Sequence, residues 1–401
     1  MTSSISATDC PACGYHYAAT FLNDTMPLAT IAWPATEHEA LTMQNLHLDF
    51  VQCLQCSHVY NKSFKYEDVP YSDKPNLMFN NGAIWSGFIQ DVIDNLAKNL
   101  PENPTIIEIG HGDGSFLSAL SQHCKTGRFI GFDPNGAAAG DDHLTFKQEL
   151  FMPLTHVAEY KPDLIIMRHI VEHLSDPLAF LQSFALAAAV ENHNMRFYIE
   201  TPCIDNVLTS NRTVDFYYEH TNQFTTKSFT AMLNTAGFSC KEISHGYARE
   251  VIYTHADLTP NQDLKATLSG AGHFRTITEK AIPHIKQQIK NYKTQGHSLA
   301  IWGGTGKSAA FMNRYKINKD VIDYVIDSDP RKAGTFVPGT AQQIYTVDRL
   351  LEKPVDIIII PPQWRAKDIT IEMQERGVTA QKVLVEHDGA LIEYDHFISL
   401  T

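Results

Sequence analysis

The chain of 401 residues has no apolar run near the ~18 residues that a membrane span requires. Its first residues, Met1-Thr-Ser-Ser-Ile-Ser6, lack the charged region and apolar core of a signal peptide. These two absences predict a cytoplasmic protein with no membrane partner. Basic character is missing as well: 32 Lys and Arg stand against 45 Asp and Glu, a net charge of −13. Nonspecific binding to nucleic acid or anionic lipid depends on summed positive charge, so that composition argues against both. It leaves room for a small anionic ligand held by a few local cations. There is no tandem repeat, no low-complexity tract and no disulfide framework. Of the 7 cysteines, Cys124, Cys203 and Cys240 stand singly. What remains is an ordinary globular composition, 43% hydrophobic and 19% charged, with length enough for two or three domains.

The other four cysteines form two pairs, Cys10-Pro-Ala-Cys13 and Cys53-Leu-Gln-Cys56. Two thiolates from one tight turn can take adjacent corners of a tetrahedron, and two such turns close a four-thiolate Zn2+ site. The 39 residues between the pairs must then include a hairpin that brings the turns together. A redox C-x-x-C and plain buried cysteines are the competing readings. Four thiolates leave no open coordination position, so zinc here is expected to be structural. Residues 1–74 are thus predicted to be a zinc-binding β module, in which Leu46–Val51 alternates like a strand.

Further along, Ile106-Ile-Glu-Ile-Gly-His-Gly-Asp-Gly114 reads as a buried strand, a glycine-rich turn and the opening of a helix from Ser115. A second strand, Arg128–Phe132, ends at Asp133, 19 residues past Gly114, near the spacing at which an acid reaches ribose hydroxyls. Dinucleotide sites favour G-x-G-x-x-G, which seats a pyrophosphate on the helix N-terminus. Here the pattern is Glu108-x-Gly110-x-Gly112-x-Gly114, which resembles the loop of class I S-adenosylmethionine (SAM) methyltransferases. SAM carries an ammonium, a sulfonium and a ribose but no phosphate, so an acid such as Glu108 beside the loop suits it. A structural turn without a ligand is the alternative.

Strands and helices then alternate. Asp163–Met167 and Met195–Glu200 read as strands, Pro177–Ala189 as a helix, and a further strand between 143 and 150 is too polar to define firmly. Helical spacing near 76–98 precedes them. The pattern is that of a doubly wound α/β sheet with ligand sites at the carboxyl ends of its strands, spanning residues 75–258. Residues 259–401 begin with a polar helical connector near 261–293 and continue as a second α/β unit with strands Ser298–Trp302, Val321–Ile326, Asp356–Ile360 and Lys382–Glu386. Its turn, Gly303-Gly-Thr-Gly306-Lys307-Ser308, is not a P-loop, because Ile301 stands where a Walker A loop needs its first glycine. A Rossmann-like turn fits better, and its amides with Lys307 could hold a phosphate.

Two segments leave the sheet on the same edge as the glycine loop: Arg168-His169-Ile-Val-Glu172-His173, and Tyr217-Tyr-Glu219-His220-Thr-Asn-Gln-Phe224. A histidine can take a proton near neutral pH, and a tyrosine can hydrogen-bond a developing oxyanion. A carboxylate such as Glu219 can orient or support the imidazole. His173, Tyr217, Glu219 and His220 are therefore the candidate catalytic group. Glu108, Gly110, Gly112, Gly114, Asp133, Arg168 and His169 are the candidate cofactor residues.

In this order the motifs resemble the sugar C-methyltransferases of deoxysugar biosynthesis, which join a four-cysteine zinc module, a SAM domain and a C-terminal Rossmann-like domain. The family motif Y-x-E-H-x-x-x-F is met by Tyr217–Phe224, its zinc ligands by Cys10, Cys13, Cys53 and Cys56, and the histidine after its fourth strand by His173. Its K-x-G…P-G-T segment is met by Lys332-Ala-Gly334 and Pro338-Gly-Thr340. Two stretches depart: Gly306-Lys307-Ser308-Ala309 replaces a loop that often reads A-K-G-N, and Tyr247-Ala-Arg249 follows Gly246 in place of a glycine pair. The resemblance implies C-methylation of a nucleotide-linked 4-keto sugar. His220 would be the base and Tyr217 and His173 would stabilise the enolate, with Lys307, Arg314, Arg331 and Lys332 as cations for the acceptor's diphosphate. The alternatives are O-methylation of another small molecule and a nucleotide-binding protein without catalysis.

Overall fold

The structure is a computed structural model that describes residues 4–31, 33–71, 80, 82–124, 126–136, 138–322 and 324–400. The expected 74/75 boundary and the start of the helix near 76 lie outside the described residues. The chain divides into two compact units, Met1–Lys265 and Ala266–Thr401.

The first unit holds two sheets. The N-terminal one contains β1 (Ile5–Ala7), β2 (Tyr17–Met26), β3 (Leu46–Cys53) and β4 (Val59–Asn61). In β3, Leu46, Leu48 and Phe50 point inward while His47 faces solvent, the period-two alternation of a half-buried strand. The β2–β3 hairpin is the one that the cysteine spacing demanded.

The second sheet is built from β5 (Thr105–Ile109), β6 (Arg128–Phe132), β7 (Leu144–Lys147), β8 (Leu164–Arg168) and β9 (Met195–Pro202). These five are parallel, and apolar runs such as Ile106-Ile107 and Ile165-Ile166-Met167 are fully buried, as strands covered on both faces must be. The fifth strand of the N-terminal sheet, β10 (Asn222–Gln223), comes from the segment just after His220 and pairs with β4. The cysteine-bearing sheet is therefore knitted to the candidate catalytic segment.

Sequence reading did not foresee β11 (Ser239–Gly246) and β12 (Val251–Leu258), a hairpin that completes the order β11-β12-β9-β8-β5-β6-β7. Connections run one way from β5 to β6 and the other way to β8. This places the loop after β5 at the topological switch point, where open α/β sheets bind ligands.

The second unit has the order β15-β14-β13-β16-β17-β18, with β13 (Leu299–Trp302), β14 (Tyr324–Ile326), β15 (Gln343–Tyr345), β16 (Ile357–Ile359), β17 (Lys382–His387) and an antiparallel edge β18 (Ala390–Glu393). The polar connector is a helix, Gln262–Thr294, whose Ala281, Ile285 and Ile289 recur every fourth residue and pack into this unit's core. Among the described residues no helix is long and apolar enough to cross a membrane.

Candidate active site

The turn after β5 needs its glycines: Gly110, Gly112 and Gly114 have φ of 74°, 55° and 74°. A Cβ on Gly114 would also come within 2.7 Å of Ala138 Cβ. Asp133 fixes the turn, accepting from Gly112 N at 3.1 Å through Oδ2 and from Asn135 N at 2.8 Å through Oδ1. The turn opens onto a cavity of about 680 Å³, within the size range of cofactor sites. Glu108, Asp133, Trp85, Arg168, His169 and His173 all line it. Glu108 is 2% exposed and its Oε2 has no hydrogen-bond partner. Burial pushes this carboxyl up to about 8, with Arg168 only partly opposing it. An uncompensated buried acid beside a glycine cradle fits a cationic amino-acid moiety, and Asp133 fits a ribose.

Four of the charged groups around β8 and β9 form a network. Arg168 Nε donates to Glu200 Oε1 at 2.9 Å and its guanidinium lies 4.2 Å from the Phe116 ring centroid. His169, held at φ 53°, sits between Glu172 (3.2 Å) and Glu200 (3.3 Å). Burial alone would push its imidazole down, but the two carboxylates prevail and raise it to about 9. Burial likewise opposes ionisation of Glu172 and Glu200. For Glu172 the hydrogen bond and charge of His169 prevail, and for Glu200 the charge of Arg168 followed by His169, bringing each to about 2.

Trp85, His169 and Asn80 also line a smaller chamber of about 220 Å³, whose other walls include Tyr217 and His220. Tyr217 OH lies 2.8 Å from His220 Nδ1, and the two rings are 4.4 Å apart. The His220 ring meets His173 edge-on at 4.8 Å. His173 Nδ1 donates to Glu219 O at 2.7 Å, which assigns the proton to that nitrogen because a carbonyl only accepts. Burial, followed by the neighbouring His173, pushes His220 down to about 3, so it is neutral at physiological pH. Burial raises the Tyr217 phenol well above its ordinary value, with Glu172 and Glu219 adding to it.

Residues 84–243 match a family model described as a methyltransferase domain, and residues 262–385 match one described as a C-methyltransferase C-terminal domain. The first stretch is thus similar to methyltransferase domains and the second to the C-terminal domain of C-methyltransferases, each over less than half of the chain. No curated protein matches it. Solved structures similar to it include magnesium protoporphyrin IX methyltransferase from Synechocystis with bound SAH, at 16% identity over 45% of this chain and 90% of that one, with a TM-score of 0.34. A SAM-dependent methyltransferase from Aquifex aeolicus is 13% identical over 45% of this chain and 100% of that one, with a TM-score of 0.30.

In the N-terminal sheet the four paired cysteines converge. Cys10 Sγ lies 3.7 Å from Cys56 Sγ and Cys13 Sγ 3.7 Å from Cys53 Sγ, and all four are within 4.8 Å of one another. A tetrahedron with Zn–S of about 2.3 Å has edges of about 3.8 Å, so the set fits Zn2+.

Glu219 departs from its expected posture. Its Oε1 accepts from Ala29 N, Thr30 N and Thr30 Oγ1 of the N-terminal module, so the side chain anchors that module and its carbonyl anchors His173. Two groups escaped the sequence reading. Tyr71 OH lies 3.0 Å from His173 Nδ1, and Trp85 stands between the two chambers. Tyr71 carries no motif, and its partner is 102 residues away.

In the second unit the four expected cations have different surroundings. Lys332 Nζ pairs with Asp327 at 2.9 Å and Arg331 with Asp329 at 2.8 Å. Lys307 Nζ lies 5.5 Å over the Trp364 ring, and Arg314 is exposed at the end of the helix Lys307–Arg314.

Proposed function

We propose that the protein transfers a methyl group from SAM to a carbon next to a ketone, on a nucleotide-linked keto-deoxysugar. The observation that carries this reading is the Tyr217–His220 pair, one histidine ring away from the glycine-turn cavity. The C-methyltransferase description of the C-terminal domain supports the same direction. When bound, the donor supplies a sulfonium methyl whose transfer to carbon leaves a neutral thioether. Glu108 and Asp133 would hold it by its ammonium and ribose.

The residues divide the remaining work. With its Nδ1–H donating to the Tyr217 oxygen, neutral His220 keeps Nε2 as the base for the α-proton. The C–H bonding pair moves into the ketone to form an enolate, and the Tyr217 O–H donates to the developing oxyanion. Glu172 faces the imidazolium that results, since its charge is among the effects favouring protonated His220. Glu219 and Tyr71 act as positioning residues by fixing His173. The Cys10, Cys13, Cys53 and Cys56 set would hold Zn2+ to shape the sheet that β10 joins. Lys307, Arg314, Arg331 and Lys332 are proposed to meet the diphosphate.

The test uses keto-sugar nucleotides deuterated at the α-carbon, with SAM withheld or replaced by its demethylated product. Wild type should exchange deuterium for solvent protons. His220→Ala should lose at least ~100-fold of this exchange while SAM affinity holds, general-base contributions being 10²–10⁴-fold. Methyl transfer to oxygen without any α-exchange would refute the carbon reading.

A further inference from the structure

Cys203 reads in the sequence as an isolated cysteine, but the fold gives it company. It follows β9 and is 2% exposed. Asp205 opens the short helix Asp205–Ser210, and His245 arrives from β11. The Cys203 sulfur, an Asp205 carboxylate oxygen and a His245 ring nitrogen all lie within 4.8 Å of one another. Thr226 Oγ1 stands among them, donating to Asp205 Oδ2 and lying 2.9 Å from His245 Nε2. From this arrangement we infer that Cys203, Asp205 and His245 form a second divalent-metal site of the zinc class, separate from the four-cysteine cluster, with the Thr226 hydroxyl or water as fourth donor.

One thiolate, one imidazole and one carboxylate make a donor set suited to zinc, with ligand bonds of about 2.0–2.3 Å. Two of the ligands sit on backbone that cannot wander. Cys203 N donates to Glu250 O at 2.9 Å, and His245 is in register with Ile252 in the β11–β12 ladder. A tetrahedral ion wants donor separations of about 3.3–3.7 Å, and His245 Nε2 already lies 3.9 Å from Asp205 Oδ2. Asp205, whose side chain is 32% exposed, is the member with room to rotate inward. The thiolate and carboxylate together carry the charge that a dication neutralises.

The place has a consequence for the smaller chamber. Cys203 and Tyr247, two residues past His245, both line it, and Tyr247 packs edge-on against Trp85 at 5.0 Å. An ion here would tie β9, β11 and the start of the helix Thr226–Thr235 together behind that wall.

The test is metal counting on the full chain. After dialysis against low-micromolar Zn2+, native mass spectrometry of wild type should show two ions. His245→Gln and Cys203→Ser should each show one, with circular dichroism unchanged. Asp205→Asn, which keeps the shape of the side chain, should weaken the second ion by at least ~10-fold, the loss of one ligand charge. Two ions retained in all three variants would overturn the inference. So would a single ion in wild type that survives in His245→Gln and, as Co2+, gives four-thiolate absorption. A single ion that His245→Gln removes would support it and count against zinc at the four cysteines instead.

Discussion

At the end of β5, Gly110 N donates to Phe132 O at 2.7 Å; at the end of β13, Gly303 N donates to Ile326 O at 2.6 Å. Asp133 accepts from Gly112 N and Asn135 N, and Asp327 accepts from Gly304 N and Asp329 N in the same way. The two turns are wired alike, yet their surroundings differ. Two residues before the first glycine stands buried Glu108 in one unit and Ile301 in the other. Lys332 already pairs with Asp327, and a Cβ on Gly304 would lie 2.4 Å from Ile344 Cδ1. The first turn instead fronts a cavity of about 680 Å³. The hydrogen bonds that make a glycine turn therefore belong to the strand–turn–helix junction. Capacity for a ligand depends on the neighbours that stay out of the way and on a charge left uncompensated.

The sharpest way to break this comparison is to remove both acids. Asp133→Ala should weaken SAM binding by ~10–150-fold, the worth of one hydrogen bond to a charged group. Asp327→Ala should leave SAM affinity within about twofold, as a substitution in a separate turn with its own partners does. Calorimetric titration of the two variants decides it. Equal losses would mean that the turns do not differ in the way their surroundings suggest.

Much of this was legible in the sequence, and the exceptions share a cause. The buried strands β5, β6 and β8 announced themselves by apolar runs, and the glycine turn by its spacing. In the second unit, Val321–Ile326 read as a strand, but only Tyr324–Ile326 forms β14. The β11–β12 hairpin was not read because β11, Ser239-Cys-Lys-Glu-Ile-Ser-His-Gly246, is an edge strand without a buried residue and so carries little alternation. The convergence of Tyr217, His220 and His173 followed from topology, since all leave the sheet on one edge. The direction of Glu219 did not, because its partners Ala29 and Thr30 lie 190 and 189 residues away and belong to a module that the pattern made look independent. The grouping of Cys203 with Asp205 and His245 was hidden for the same reason: no spacing in sequence encodes a contact between a strand end and a later strand.

A second test sharpens the contrast between Glu108 and Ile301. With the carboxyl pushed up to about 8 in the empty cavity, Glu108 is mostly protonated at pH 7. A cationic donor favours the carboxylate, so binding should release roughly one proton at pH 7, and affinity should rise as pH approaches 8. Calorimetry in buffers of different ionisation enthalpy measures that release directly. Glu108→Gln should bind more weakly and release none. Wild type binding without proton exchange would remove Glu108 from the donor site.

The smallest effect separates the cores of the two units. β16 is wholly apolar, Ile357-Ile358-Ile359, whereas around the ends of β8 and β9 half-buried Arg168 and His169 pair with buried Glu172 and Glu200. His169 is raised from 6.5 to about 9, so its stabilisation is complete below pH 6.5 and is lost as pH climbs through 9. Glu172 and Glu200 are lowered from 4.5 to about 2, so theirs is present above pH 4.5 and is lost as pH falls toward 2. The first unit should thus be most stable between these limits, and its melting temperature should fall by several degrees from pH 6.5 to 9, at about 2–4 °C per kcal/mol. His169→Asn is the informative variant, because asparagine tolerates the positive φ of 53° that most residues resist. It should melt lower than wild type at pH 5.5 and show little of the alkaline decline. An alkaline decline of the same size in His169→Asn would locate the pH sensitivity elsewhere and leave the two cores electrostatically alike.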